Sequence, residues 1–279
     1  LYQRNDLHPA GLQVWLADID GREDREILNA GPENKVEARW FPDGERVLAL
    51  ADAGTHRRLG VWERDSMRWV IDDPARNLES AYVPYGEARA VVIEARHARQ
   101  RASMLDVETG IETPLPEIPG TLLPLAPVGG GDWVGLTYSS RQPADLVRFS
   151  PDDPSPASFV SLTRVWERTT LTAADLSPAK DFRWKSEDGL EIQGWLYRPQ
   201  STARGTIVYV HGGPTWHSED WINAQIQYLV SQGFNVLDPN YRGSTGFSLD
   251  YREAIKEVGW GGREQVDIRA GIEALIAAG

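Results

Sequence analysis

The residues best suited to chemistry follow an apolar, β-branched run in the last third of the chain. Residues 205–210 (GTIVYV) predict a buried strand, and His211, Gly212, Gly213 and Pro214 come directly after it. Glycine lets a backbone N–H approach a substrate without a Cβ in the way. A fixed N–H of this kind can stabilise the oxyanion that forms when a peptide or an ester is hydrolysed. We therefore predict that Gly213 carries the oxyanion-binding N–H, with Gly212 as geometric support.

The other two residues of this loop are predicted to support it structurally. His211 stands at the end of a buried strand, so it is better placed to brace the loop than to act as a base. Pro214 has a fixed φ and no N–H, which stiffens the loop just past the glycines. The alternative interpretation is that the four residues form an ordinary strand-to-helix turn without a chemical role.

This loop lies in a region where predicted strands and helices alternate. A hairpin with its turn at 187–189 precedes the 205–210 strand. The further elements predicted from the apolar periodicity are a helix over 218–231, a strand over 234–238 and a helix over 263–278. Alternation of this kind is typical of an α/β sheet with parallel strands. Ligands of such sheets bind beyond the carboxyl ends of the strands, so we expect the loop 240–248 (NYRGSTGFS) on the same rim.

The first half of the chain shows a weak repeat with a period near 42 residues. Pro42, Pro84 and Pro127 are 42 and 43 residues apart, and each is followed by a glycine-containing turn and an apolar strand. Four short strands in each repeat of about 40–45 residues are typical of a propeller blade. We count three blades and the tail of an earlier one, which predicts an incomplete β-propeller. An irregular β-sandwich with a chance period is the alternative.

The composition excludes several functional classes. The formal net charge of −12 argues against a nucleic-acid-binding protein, because neutralising phosphates requires clustered Lys and Arg. No apolar run approaches the roughly 18–20 residues that span a bilayer, so we expect no membrane span. The absence of cysteine rules out disulfides, thiolate catalysis and cysteine-based zinc sites. We predict no cofactor and no metal.

The compartment and the oligomeric state are not determined by these features. The chain begins at Leu1 and not at Met, so we expect a truncated N-terminus and draw little from a missing signal peptide. A cytoplasmic location is our expectation, and periplasmic and secreted locations stay open. The oligomeric state stays open as well.

Three motifs in the second half point to a known family. HGGPTW, NYRGSTGFS and GWGGREQVDIRAGIEAL follow a SEDGLEIQGWLYRP hairpin in this order. Together they resemble the prolyl oligopeptidase family of serine peptidases, in its acylaminoacyl-peptidase-like and dipeptidyl-peptidase-like branch. The resemblance is close over 181–279, and it implies a β-propeller that caps an α/β-hydrolase domain. In this chain it implies incomplete propeller blades over 1–165 and the incomplete N-terminal part of the α/β-hydrolase peptidase domain over 166–279.

The resemblance also implies roles for individual residues. In the family the HGG backbone supplies one oxyanion-hole donor, which corresponds to Gly213. The loop that matches Asn240–Phe247 lies near the catalytic rim in the family, so Tyr241 and Arg242 become candidates for substrate binding. The implied partner is a short peptide substrate.

The nucleophile of the family is missing from this sequence. It lies in a G-x-S-x-G motif followed by Asp and then His, and no serine of the chain fits that frame. Ser244 comes nearest, with Gly246 two positions after it, but Arg242 stands where the first glycine should be. In the family the nucleophile comes shortly after the position of Gly279. We therefore expect a fragment that carries the oxyanion-hole loop without the Ser-Asp-His triad and that is inactive alone.

The leading hypothesis is a serine peptidase that hydrolyses short peptides through an acyl-enzyme. One alternative keeps the fold and makes the protein a propeller-capped esterase or acylaminoacyl hydrolase. Another is a non-catalytic propeller that binds a partner. The sequence does not distinguish exopeptidase from endopeptidase activity. The residue preference at the cleavage site is also left open.

Overall fold

The computed structural model describes residues 1–96, 98–153, 155, 158–213 and 215–279. Within these ranges the strands form five sheets, of which four come from the N-terminal part of the chain and one from the C-terminal part. None of the described helices has the length and the apolar content needed to cross a membrane.

The four N-terminal sheets follow one another in chain order and are antiparallel. The first has three strands, β1 (Tyr2–Arg4), β2 (Gln13–Leu16) and β3 (Arg25–Leu28). The second consists of β4 (Val36–Trp40), β5 (Val47–Ala53), β6 (His56–Glu63) and β7 (Ser66–Ile71). The third consists of β8 (Leu78–Tyr82), β9 (Ala90–Arg96), β10 (Arg99–Leu105) and β11 (Glu112–Pro114). The fourth consists of β12 (Thr121–Gly129), β13 (Asp132–Ser139), β14 (Gln142–Phe149) and β15 (Val160–Ser161).

The sequence repeat corresponds to the three four-stranded sheets. Pro42 and Pro84 lie between the first and second strands of the second and third sheets, and Pro127 lies near the end of the first strand of the fourth. Proline lacks the N–H that a sheet ladder needs, so it is tolerated where the chain leaves the ladder to turn. The three four-stranded sheets and one partial sheet match the predicted number of blades. Their closure around a common axis, and with it the propeller, stays a prediction.

Neighbouring sheets pack face to face through apolar side chains. On β5, Leu48 and Leu50 belong to a core shared with the third sheet. Val47, Ala49 and Ala51 of the same strand belong to a core shared with the first sheet. Successive side chains of a strand point to opposite faces, so a strand buried on both faces is a continuous apolar run without alternation. This explains the apolar run 47–51 (VLALA) at the start of β5.

A connector, residues 162–179, joins the N-terminal sheets to the C-terminal sheet. It contains two one-turn 3-10 helices, Val165–Arg168 and Ala173–Asp175. The second begins with a capping box between Thr172 and Asp175. The predicted division into domains at 165/166 falls within this connector and stays a prediction.

The C-terminal sheet is mixed, with the strand order β16-β17-β19-β18. Its strands are β16 (Lys180–Lys185), β17 (Glu191–Tyr197), β18 (Gly205–Val208) and β19 (Phe234–Asn240). β16 and β17 form the predicted hairpin, and β17 pairs with β19 in antiparallel fashion. β18 and β19 are parallel, as the alternating strand and helix pattern predicted for this segment.

Helices cover both faces of this sheet. The described α-helices are α1 (Ala224–Ser231), α2 (Leu249–Glu253) and α3 (Arg263–Ala277). Ile226 and Val230 of α1 pack on Trp195 of β17 on one face. On the opposite face, Trp184 of β16 packs against Ala270 of α3.

The first helix begins later than the periodicity indicated. We predicted a helix over 218–231, whereas α1 starts at Ala224, where the Asn223 side chain accepts hydrogen bonds from the N–H groups of Gln225 and Ile226. The preceding residues are held in an irregular loop by tertiary hydrogen bonds described below. The prediction was therefore wrong for the first six residues, because helical spacing of apolar residues does not report what else binds the backbone.

Candidate functional site

Two loops meet where the parallel strands β18 and β19 end. The chain continues from β18 into His211–Gly213 and from β19 into Tyr241–Gly246. Because the two strands pair in parallel, their carboxyl ends face the same edge of the sheet. The structure thus brings together the two loops that the sequence singled out, and we call this edge the rim.

His211 is clamped by the loop that follows β19. The Tyr241 hydroxyl donates a hydrogen bond of 2.7 Å to the His211 carbonyl, and the two rings stack with their centroids 4.7 Å apart. The His211 Nε2 atom lies 3.1 Å from Ser244 Oγ, and Nδ1 lies 3.0 Å from the Gly212 carbonyl oxygen. Burial lowers the pKa of His211, which keeps the imidazole neutral at pH 7. The neutral ring therefore ties the first loop to the second.

Gly213 presents a backbone N–H for which the described residues offer no acceptor. Gly213 is exposed, and its φ of +131° lies in a region that favours glycine. A Cβ on Gly213 would lie 3.2 Å from Thr215 N and 3.3 Å from Trp216 Cβ, whereas a Cβ on Gly212 would meet nothing within 4 Å. Of the two glycines, Gly213 is therefore the position whose conformation requires glycine. Pro214 lies outside the described residues.

An aromatic wall stands beside this loop. The Trp216 ring meets the His211 ring edge-on at 5.3 Å and packs against Trp221 at 5.5 Å. Its carbonyl accepts a hydrogen bond from Thr245 N, and 40% of the residue remains exposed. The exposed indole therefore presents an apolar surface beside the loop. Sequence reasoning missed Trp216, although an aromatic residue two positions after the proline was the available signal.

Arg242 and Tyr241 are buried, with 2% and 6% of each residue exposed. The Arg242 guanidinium donates to Asp267 through Nε (2.8 Å) and Nη2 (2.7 Å), and to Asp188 through Nη1 (2.8 Å). These hydrogen bonds raise the pKa of Arg242 and hold the pKa of Asp188 well below its usual range. All three guanidinium nitrogens thus have carboxylate partners within the chain. Substrate binding by Arg242 stays a prediction that this geometry does not support.

A buried polar network lies below the two loops. Ser218 donates from its N–H to Asn240 Oδ1 (2.7 Å) and from its hydroxyl to Asp238 Oδ1 (2.7 Å). Asn240 Nδ2 donates to the Ser218 carbonyl (2.9 Å) and to Gln193 Oε1 (2.7 Å). Trp195 Nε1 donates to the same Ser218 carbonyl at 2.8 Å. Because the Ser218 carbonyl already accepts two side-chain hydrogen bonds, it is not available for the first backbone hydrogen bond of the predicted helix.

Asp238 should make the folding stability of the protein depend on pH. Burial raises the pKa of Asp238 to about 7, against about 3.9 in an unfolded chain. Between these values the unfolded chain releases a proton that the folded chain keeps, so the group reduces folding stability as the pH rises, by about 1.4 kcal/mol per pH unit. Asp238→Asn removes this titration. We expect the difference in melting temperature, variant minus wild type, to increase from pH 4.5 to pH 7.5. Differential scanning calorimetry measures both temperatures.

The exposed Asp20 provides the matched control for this experiment. The same exchange at Asp20 should leave the difference in melting temperature independent of pH. A constant difference between Asp238→Asn and the wild type across the series would contradict the buried titration.

Two acidic residues connect the rim to the N-terminal sheets. Asp220 accepts hydrogen bonds from Arg99 of β10 through Nε (3.0 Å) and Nη2 (2.9 Å). Glu219 accepts from Gln100 Nε2 and from the Tyr138 hydroxyl, both at 2.7 Å. Burial raises the pKa of Glu219. Sequence reasoning placed both acids within a helix and missed this contact, for which an acidic pair soon after HGGPTW was the available signal.

The described residues contain neither an accessible Ser–His pair nor a metal cluster. Ser244 lies within hydrogen-bond distance of His211, but it is completely buried and its Oγ is also 2.6 Å from the Tyr241 carbonyl oxygen. A substrate cannot reach a hydroxyl in that position. In the part of the chain that the structure describes, no group of three or more His, Asp or Glu side chains could hold a metal ion.

The chain is similar in sequence to a family of peptidases and to curated relatives. Residues 220–279 match the model of the prolyl oligopeptidase family. The chain is 25% identical over 259 residues to Dipeptidyl aminopeptidase BIII of Pseudoxanthomonas mexicana, covering 85% of this chain and 32% of that protein. It is 35% identical over 129 residues to Acylamino-acid-releasing enzyme 1 of Oryza sativa subsp. japonica, covering 45% of this chain and 16% of that protein. The chain spans about a third or less of the length of these curated relatives.

The fold is also similar to solved structures. A puromycin-hydrolyzing peptidase of Mycobacterium tuberculosis superposes with a TM-score of 0.75 over 96% of this chain and 42% of that one. The sequence identity in this pair is 21%, so the likeness concerns the fold. A Pyrococcus horikoshii acylaminoacyl peptidase gives a TM-score of 0.71 at 20% identity, over 96% of this chain and 41% of that one.

Proposed function

Since residues 220–279 match the model of the prolyl oligopeptidase family, a family of peptidases, we propose that this protein is a serine-type peptidase. It hydrolyses short peptides through an acyl-enzyme intermediate. The 279 residues contribute the oxyanion-hole loop, and Gly213 is the residue that donates the hydrogen bond.

One observation carries this proposal. Gly213 is exposed at the carboxyl edge of a parallel strand pair, and its N–H has no acceptor among the described residues. The clamp of Tyr241 and Ser244 on His211 fixes the loop before any substrate arrives. A donor that is already oriented needs no reorganisation when the oxyanion forms, which is why such donors contribute strongly to catalysis.

Each rim residue takes a distinct part in the mechanism. A serine hydroxyl attacks the scissile carbonyl, and the Gly213 N–H donates to the oxygen as it becomes negative. The space beside Gly212 is open to the substrate, since a Cβ there would meet nothing within 4 Å. His211 and Tyr241 position the loop, and Arg242 anchors the neighbouring loop to α3 through Asp267. The mechanism requires a serine nucleophile with an acid and a base, and no serine of these 279 residues lies in a G-x-S-x-G frame.

The test uses the full-length protein and a fluorophosphonate probe, which labels activated serines. We expect stoichiometric labelling, together with hydrolysis of dipeptidyl and acylaminoacyl p-nitroanilides. The 279-residue chain alone should show neither. Cleavage of p-nitrophenyl esters without cleavage of any amide would contradict the peptidase assignment, and a full-length protein that takes no label would favour the non-catalytic binding protein.

The acylaminoacyl hydrolase remains the second candidate, favoured by the 35% identity with a rice acylamino-acid-releasing enzyme. The two candidates differ in the substrate's amino end. An acylaminoacyl hydrolase should prefer N-acetylated aminoacyl p-nitroanilides, whereas a dipeptidyl peptidase should require a free amino group two residues from the scissile bond. The ratio of kcat/KM for these two substrates decides between them.

A further inference from the structure

A cavity lies between the third sheet, the fourth sheet and the connector. Its volume is about 810 Å³, which falls within the roughly 300–1,000 Å³ typical of small-molecule sites. Its walls come from β10, from residues 117–120, from the turn between β13 and β14 and from the connector. The described residues that line it include none from 205–217 or 240–246, so it is separate from the rim.

The charged groups in this cavity are unbalanced. Three arginines line it, Arg99, Arg101 and Arg141, against two carboxylates, Glu117 and Asp220. Asp220 is already bound by Arg99 through two hydrogen bonds, and its other oxygen accepts a hydrogen bond from a backbone N–H. This pair is therefore neutral and leaves two arginines facing one carboxylate.

Arg101 is partly buried and has only a distant carboxylate partner among the described residues. Its Nη1 atom donates to two backbone carbonyls, those of Gln100 (3.0 Å) and Gly120 (2.9 Å). Its carboxylate partner Glu117 lies 3.9 Å from Nε, and the Glu117 side chain is 73% exposed. Burial lowers the pKa of Arg101, as is expected when a guanidinium is partly desolvated without a close counter-ion. The geometry leaves Nε and Nη2 of Arg101 available to an anion.

The two glutamates on the other side of Arg101 are already hydrogen-bonded to other residues. Arg101 also lines a neighbouring cavity that contains Glu94 and Glu112. Arg76 donates to Glu94 at 2.7 Å and to Glu112 at 2.6 and 2.8 Å. Ser103 donates a further hydrogen bond to Glu112. These contacts explain why neither acid turns towards Arg101.

Part of the cavity wall is apolar. Ile118, Val147, Phe159 and Pro178 line it. The Phe159 ring stacks on Phe149 with the centroids 5.6 Å apart and an interplanar angle of 4°, which fixes the ring in the wall. A cavity with an under-compensated guanidinium and a rigid aromatic wall suits a ligand that combines an anion with an apolar body.

We propose that this cavity binds a small organic anion in which a carboxylate is joined to an apolar body. The carboxylate pairs with Arg101, and the body packs against Phe159 and its apolar neighbours. The site does not depend on the proposed peptidase activity, because none of its lining residues belongs to the rim.

Isothermal titration calorimetry of the full-length protein with 3-phenylpropanoate tests this proposal. We expect the acid to bind about tenfold or more tightly than 3-phenylpropanamide, which lacks the charge, and than acetate, which lacks the apolar body. Arg101→Gln should weaken binding of the acid to the level of the amide, and Arg101→Lys should restore part of it. Glu117→Gln should strengthen binding about two- to fivefold, because it removes the competing carboxylate.

The gain expected from Glu117→Gln keeps the test informative if Arg101→Gln folds poorly. Arg148→Gln is the matched control, since Arg148 lies on β14 of the fourth sheet, has a side chain that is 53% exposed and does not line the cavity. It should bind the acid as the wild type does. The proposal is overturned if the wild type shows no saturable binding, if the amide or acetate binds as well as the acid, or if Arg101→Gln leaves the affinity unchanged.

Discussion

Gly213→Ala is expected to lower kcat of the full-length protein on peptide substrates by about 10²- to 10³-fold. At a φ of +131° an L-residue is strained, and the new Cβ would lie 3.2 Å from Thr215 N. The loop must shift, and the shift moves the N–H away from the position of the oxyanion. Since this hydrogen bond forms in the transition state, the loss should appear in kcat with a smaller change in KM. Steady-state kinetics with a chromogenic peptide amide measure both.

Two other glycines of the same segment provide graded controls. Gly205, at the start of β18, would place a Cβ 3.9 Å from the Phe234 ring, so Gly205→Ala should leave the kinetics near those of the wild type. Gly212→Ala adds a Cβ in open space and should reduce kcat less than Gly213→Ala does. If Gly213→Ala kept more than a tenth of the wild-type kcat, the oxyanion assignment would be wrong.

Asp267→Ala is expected to destabilise the protein by about 3–5 kcal/mol. Asp267 is completely buried, and it accepts hydrogen bonds from the N–H, the Nε and the Nη2 of Arg242. Removing the carboxylate leaves a guanidinium that is 2% exposed with Asp188 as its one remaining carboxylate partner among the described residues. A buried guanidinium that loses one of its two carboxylate partners is costly because its lost hydration is then less fully offset. Urea unfolding followed by tryptophan fluorescence measures the loss.

Glu273→Ala is the matched control on the same helix. Its side chain is 66% exposed and lies 3.8 Å from Arg269, so its removal should change the free energy of unfolding by about 0.5 kcal/mol or less. Asp267→Asn keeps a hydrogen-bond acceptor and should fall between the two. A loss below about 1 kcal/mol for Asp267→Ala would show that Arg242 finds another partner or reaches water.

Local patterns carried most of the secondary structure. Apolar runs bounded by turn residues located the strands, and the 42-residue spacing of prolines located the three four-stranded sheets. Parallel pairing of consecutive strands predicted that the loops after β18 and β19 would share one rim, and they do. Gly213 lies in an exposed loop at this rim, and its catalytic role stays a proposal. These features depend on residues close in sequence, or on the general geometry of parallel sheets.

The tertiary structure alone decided how the predicted residues are used. Arg242 looked like a candidate for substrate binding, and the fold buries it against Asp267, 25 residues away, and Asp188, 54 residues away. Glu219 and Asp220 looked like helix residues, and the fold holds them against β10, about 120 residues earlier. The physical reason is that burying a charge is favourable only when a partner arrives at the same place. Periodicity and turn chemistry record which way a side chain faces, but the partner is set by how the sheets pack.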